Sequence, residues 1–144
     1  MRILLTLLLS AVFALPAFAG LGDTIPQTLS EIKPQFSQEP HWQGLAVYST
    51  VTHSGIRIRE YINAGGVIVA ITWQGPFLPD LRQLLGVYFQ TYLTGPASPA
   101  TSLRHAELMT PDLVVQSYGH LRAFHGRAYL PGLLAPGVIP EQLQ

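Results

Sequence analysis

The sequence predicts an α+β fold: an antiparallel sheet of five or six strands, two hairpins plus a central strand, with one main amphipathic helix at about 79–94 packed on one face. Three observations predict it. Apolar residues alternate with period two over 45–62, run almost unbroken over 67–73, switch to helical spacing over 81–93, and return to strand-like patterning over 113–129. Turn residues separate the alternating segments by only a few positions, which pairs neighbours as antiparallel hairpins. The length of 144 residues, 48% of them hydrophobic, suits one core.

A leader precedes the domain. Arg2 supplies a positive start, residues 3–15 form an apolar run, and Pro16 breaks that run ahead of Ala17-Phe18-Ala19, a small-x-small pattern. This is the signature of a secretory signal peptide cleaved after Ala19, with Gly20 as the new N-terminus. The run falls short of the roughly 20 apolar residues needed to cross a bilayer. The expected organisation is therefore a signal peptide at 1–19, an irregular N-terminal arm at 20–42 and one α+β domain at 43–144, in the periplasm or secreted. Pro26, Pro34 and Pro40 make the arm irregular, with room for a short helix at 27–32 that Pro34 stops.

The first strand begins at Leu45, where Leu45, Val47, Ser49 and Val51 alternate with Ala46, Tyr48, Thr50 and Thr52. Ser54-Gly55 reverses the chain. In the next segment Ile56, Ile58 and Ile62 take one face while Arg57, Arg59 and Tyr61 take the other. Asn63-Ala64-Gly65-Gly66 is a turn of residues that tolerate positive φ, and the apolar run at 67–73 after it is the central strand. Leu81, Leu84, Leu85, Tyr88, Phe89, Tyr92 and Leu93 then recur at i, i+3, i+4, i+7, i+8, i+11 and i+12. Pro79 and Asp80 suit the first turn of that helix, and Gly95-Pro96 suits its end. Gly86 inside it points to close approach to the sheet. A long connection follows, with a short strand at 103–109. The second hairpin has strands at 113–117 and 121–129, a turn at 118–120 and a bulge at Gly126, and a Pro-rich tail caps the fold.

Composition excludes several function classes. Eight Lys and Arg balance eight Asp and Glu, and at 11% the charged fraction is far below the usual quarter or so. Nucleic-acid binding, which asks for a basic excess or stripe, is disfavoured. The chain has no cysteine, so disulfide stapling, thiol chemistry and cysteine-ligated metal are excluded, and packing alone must stabilise it.

Candidate chemistry is sparse. The five histidines, His41, His53, His105, His120 and His125, lack the i, i+2 strand or i, i+4 helix spacing of metal ligands, and His120 and His125 differ by an odd number. No G-x-S-x-G motif marks a nucleophile, and Glu60, Asp80, Glu107 and Asp112 are not paired on one element. Arg57, Arg59, Arg122 and Arg127 all fall on expected hairpins and form the candidate binding residues, a basic strip for an anionic polymer, a lipid headgroup or an acidic partner. The aromatic residues lie at core-facing positions. No catalytic residue, metal ligand or cofactor is expected.

Three segments together carry a resemblance. They are 59–73, then Trp73-Gln74-Gly75-Pro76 followed by Leu78-Pro79-Asp80-Leu81, and the ending Gly119-His120-Leu121-Arg122-Ala123-Phe124-His125-Gly126-Arg127-Ala128-Tyr129-Leu130-Pro131. With the leader, this resembles the bacterial domain-of-unknown-function family numbered 2844 over nearly all of the chain past the leader. The resemblance implies a small secreted protein with no assigned activity. The expected function is a non-enzymatic secreted or periplasmic interaction module whose sheet face or edge binds another envelope protein. The alternative is a carrier or sensor of a small apolar or anionic ligand held between helix and sheet, with a metal-dependent or hydrolytic enzyme a third reading.

Overall fold

The computed structural model describes residues 19–25, 36–96 and 105–144. The leader at 1–18, the short helix expected at 27–32 and the connection at 97–104 lie outside the described residues. Seven strands make one antiparallel sheet: β1 (Ser37–Trp42), β2 (Leu45–Val51), β3 (Arg57–Ile62), β4 (Ile68–Gly75), β5 (His105–Met109), β6 (Val114–His120) and β7 (Ala123–Tyr129). Their order is β1-β2-β3-β4-β7-β6-β5, with β4 in the middle.

Seven strands replace the five or six expected. The additional one is β1, at the end of the segment read as irregular. Pro40 argues against a strand because it cannot donate to a ladder, yet β1 is an edge strand and the Pro lies where its register with β2 shifts, between Glu39 and Trp42. The turn that closes this hairpin is Gln43-Gly44, with φ of 47° and 82° at its two residues. Both are positive, as a two-residue turn between twisted strands requires. Gly126 is not a bulge: β4, β7 and β6 run in continuous register through Trp73, Gly126 and Ser117. The glycine instead makes room for a side chain. A Cβ there would lie 2.3 Å from Cζ2 of Trp73, whose indole is buried over it.

The helix is also corrected. In place of one continuous helix at 79–94, the chain forms α1 (Leu81–Leu85), a 3₁₀ turn at Gly86–Tyr88, and α2 (Phe89–Thr94). Asp80 caps α1, its Oδ1 accepting from the N–H groups of Arg82 at 3.0 Å and Gln83 at 3.3 Å. Gly86 breaks the run by taking φ of 53°. The break turns the second half so that Leu93, expected in the core, is 57% exposed, while Leu81, Leu84 and Leu85 are buried and Tyr88, Phe89 and Tyr92 are half-buried against them. The close approach at Gly86 is to Gly20 rather than to the sheet.

The sheet buries both faces. On the inner face Ile58, Ile71, Trp73, Val115 and Ala128 pack against α1 and the N-terminal segment, with Leu21 wholly buried among them. That segment bonds to both layers: Leu21 N–H donates to the Leu84 carbonyl, and Gly22 N–H to that of Ile68. On the outer face Val47, Tyr61, Val69, Val114 and Tyr129 lie beneath the C-terminal tail, which contributes Leu143, Leu134 and Val138. Central strands covered on both sides read as continuous apolar runs, which is why 67–73 shows no clean alternation. Among the described residues, no helix is long and apolar enough to cross a membrane.

Candidate interaction surface

Antiparallel register sets the chemistry of the outer face in rows, because residues directly opposite one another share a face. One row crosses all seven strands as Ser37, Ser49, Arg59, Thr72, Arg127, Gln116 and Glu107, each of them polar. The row next to it, Glu39, Val47, Tyr61, Ala70, Tyr129, Val114 and Met109, is largely apolar and carries the tail. A polar row and an apolar row side by side make a track for a segment that turns apolar side chains to one row and carbonyls to the other.

The tail uses that track. The main-chain oxygen of Gln144 accepts from Tyr61 Oη at 2.7 Å, Arg59 Nη1 at 2.9 Å and Thr72 Oγ1 at 3.0 Å. Arg127 Nη1 donates to the carbonyls of Glu141 at 2.7 Å and Pro140 at 3.1 Å. Its Nε donates to Gln116 Oε1 at 2.7 Å, and Gln116 Nε2 in turn donates to Glu107 Oε1 at 2.6 Å. This chain of donors fixes the Gln116 amide and aims the guanidinium at the tail. Arg59 is held from its other side by the Glu39 carboxylate, Nε to Oε2 at 3.0 Å. At the far end of the tail, Gln43 bridges to Gln142 and to the Ile139 N–H.

Electrostatics follows from this packing. Burial pushes the Glu39 carboxyl up, but hydrogen bonds from Ser49 and Arg59 and the charges of Arg59 and Arg57 outweigh it and hold the carboxyl below its ordinary value. Burial raises the Tyr61 phenol, against the opposing pull of Thr72, Arg59 and the Gln144 main chain. Tyr129 is likewise raised, first by burial and then by the nearby charge of Glu141. Both phenols therefore stay neutral across the physiological range, and that of Tyr61 remains a donor to the Gln144 main chain.

Beside Leu143 and Gln144 the outer face holds an open cavity. The third row runs Val51, Arg57, Gln74, His125, Tyr118 and His105. Arg57, Gln74 and His125 are exposed. The rings of this row touch: His105 meets Tyr118 edge-on with centroids 4.7 Å apart, and His125 stacks on Tyr118 at 5.5 Å. A cavity of about 450 Å³ opens here, bounded by Thr72, Gln74, Tyr118, His125 and Arg127 and closed at one end by Leu143 and Gln144.

The four arginines expected as a basic strip separate. Arg59 and Arg127 share a row across Thr72, roughly 10 Å apart at the normal strand spacing. Arg57 lies one row on, and Arg122 sits in the exposed β6–β7 turn with φ of 62°. Two of the four are thus committed to the tail. Sequence reasoning missed Tyr61, Thr72 and Gln116 as their partners; the period-two pattern put Tyr61 on the arginine face, but only register aligns it with a tail more than 80 residues away. His120 and His125 reach the same face through the hairpin, one row apart. Among the described residues no group of three His, Cys, Asp or Glu is close enough to hold a metal ion.

A second cavity, of about 530 Å³, lies between the start of α1 and the β2–β3 turn. Its walls include Ile56, Ile58, Pro79 and Leu84, with the exposed Val51, Phe77 and Leu78 around it and the buried Glu60 among its lining.

The model of the family described as a protein of unknown function (DUF2844) matches residues 17–143. No curated protein and no solved structure matches the chain.

Proposed function

The chain belongs to the DUF2844 family of proteins of unknown function, and from that premise we propose that it is a non-enzymatic, exported interaction module whose outer sheet face holds a peptide segment of another envelope protein. One observation carries this reading: the polar row already binds a peptide segment, the 3₁₀ turn at Pro140–Gln142 and the two residues after it, through main-chain oxygens, and an open cavity adjoins that row beside Leu143 and Gln144. The recognition needs no regular secondary structure in the ligand, because Arg and hydroxyl donors take carbonyls from any sequence. The exposed Arg57 at the far side of the open row favours an acidic side chain on the partner. The leader pattern at 1–19 supports export and, with it, a partner in the envelope.

The test is position-specific photo-cross-linking in the native envelope. A cross-linker replacing Gln74 yields one discrete protein adduct, and the same probe replacing Val87, 77% exposed on the helical layer, does not. The yield at position 74 falls in an Arg57→Glu background. Equal adducts from both positions, or none from position 74, refute the reading.

The 530 Å³ cavity favours a second reading, a carrier of a small apolar ligand between helix and sheet, since its volume falls in the usual range for ligand sites. Native mass spectrometry of the purified protein separates the two. A bound small molecule that leaves on Ile58→Trp supports the carrier, and a bare mass together with the position-74 adduct supports the module.

A further inference from the structure

The leader pattern and the structure meet at Gly20. Its nitrogen donates to the Asp23 carboxylate, 2.7 Å from Oδ2, and its carbonyl accepts from the Asp23 N–H at 3.1 Å. Gly20 is buried against the break in the helical layer. A Cβ there would lie 3.0 Å from the Gln83 carbonyl oxygen and 3.0 Å from both N and Cα of Gly86, all main-chain atoms that cannot swing away. Only glycine fits. The next residues are tied down on both sides, Leu21 to the Leu84 carbonyl, Gly22 to the Ile68 carbonyl and Ile25 to the Gly66 carbonyl, with Ile68 N–H returning a bond to Asp23.

We propose that removal of the leader sets a latch: hydrolysis of the Ala19–Gly20 bond turns the Gly20 amide into an α-ammonium that forms an ion pair with Asp23 and locks the N-terminal segment between helix and sheet. The proposal rests on the export reading. The chemistry balances with water alone: the C–N bond breaks, the water oxygen goes to the Ala19 carbonyl carbon to give a free carboxylate, and both water protons go to the Gly20 nitrogen, which becomes the α-ammonium. The carboxylate that receives the new charge already stands within hydrogen-bond distance of that nitrogen. Charge-assisted hydrogen bonds are about twice as strong as neutral ones, so the same contact strengthens on cleavage.

The geometry also orders the events. A leader protease must hold several residues on each side of the scissile bond in extended form, whereas Gly20 and Leu21 are buried in the folded domain. Cleavage therefore precedes docking of residues 20–25.

The test compares four mature chains: 20–144 with a free Gly20 amine, the same chain N-acetylated, and each of these with Asp23→Asn. The free-amine chain is expected to have an unfolding constant roughly tenfold smaller than the acetylated one, and Asp23→Asn is expected to erase that difference. Equal stability of the free and acetylated chains, or the same Asp23→Asn effect in both, overturns the latch while the export reading stands. Intact mass of the protein recovered from its native envelope checks the premise separately. A chain beginning at Gly20 upholds it, and a chain beginning elsewhere removes both the cleavage site and the latch.

Discussion

Gly126→Ala tests how tightly the inner face is packed. The added methyl would lie 2.3 Å from Cζ2 and 2.5 Å from Cε2 of Trp73, and 2.6 Å from the Gln116 carbonyl oxygen. Ordinary carbon contacts are about 3.5–4.0 Å, so the indole must retreat by more than 1 Å. It has nowhere to go: Trp73 is 2% exposed and packed in the main core cluster. The Gln116 carbonyl belongs to β6, which pairs with β7 beside it, and can move only by distorting that ladder. Overpacking of this kind costs about 3 kcal/mol, and the lower entropy of Ala in the unfolded chain returns about 0.5–1 kcal/mol. The net loss is about 2 kcal/mol, a large part of a typical 5–15 kcal/mol stability. Urea denaturation followed by circular dichroism should show it, with Tm lower by roughly 8 °C. Trp73→Leu is the control. Alone it leaves a cavity and costs about 3 kcal/mol, but in the Gly126→Ala background the methyl occupies part of that cavity, so the two changes together cost at least about 1 kcal/mol less than their sum. A Gly126→Ala protein within about 0.5 kcal/mol of the parent, or strictly additive costs, refutes the reasoning.

Asp80→Ala leaves two N–H groups at the start of α1 without their acceptor and should cost about 1 kcal/mol in denaturant unfolding, with Asp80→Asn or Asp80→Ser recovering most of it. Leu85 is wholly buried between α1 and the sheet, so Leu85→Ala should cost about 3 kcal/mol, the largest loss expected in the helical layer. The pH profile of stability follows two groups of the outer face. The depressed Glu39 carboxyl stabilises above the ordinary glutamate range, about pH 4, and that contribution disappears as pH falls through its lower folded value, so Glu39→Gln should flatten the acid limb. The raised Tyr61 phenol acts in the opposite sense: its contribution is complete below about pH 10 and is lost as pH rises through the higher folded value, a loss that Tyr61→Phe removes. Arg127→Met takes two donors from the carbonyls of Pro140 and Glu141 and should speed amide exchange at Leu143 and Gln142 with little change at the β4 core.

How much was legible differs from element to element. The alternation at 45–62 fixes which side chains share a face, and the structure keeps the isoleucines of β3 on the core side and Arg57, Arg59 and Tyr61 on the other. The leucine spacing marks the helical stretch and its buried stripe, because a 3.6-residue repeat is a local property of the chain. The strand at Ser37–Trp42 was hidden by Pro40, whose cost depends on whether the strand is central or at an edge, and nothing local carries that information. A strand glycine such as Gly126 more often marks a bulge, and the indole that needs the space here lies more than 50 residues earlier in the chain.

The sequence by itself determined the strands from Leu45 on, the buried stripe of the helical stretch, the sidedness of the first hairpin and the absence of disulfide chemistry, all of which rest on composition or on neighbours within a few residues. Tertiary structure decided the seven-strand order, the polar row from Ser37 to Glu107, the docking of the tail on Arg59, Tyr61, Thr72 and Arg127, and the seat of Gly20 beside Gly86. Those depend on register between strands far apart in the chain. Periodicity says which face a side chain takes, but only long-range pairing says what stands opposite it.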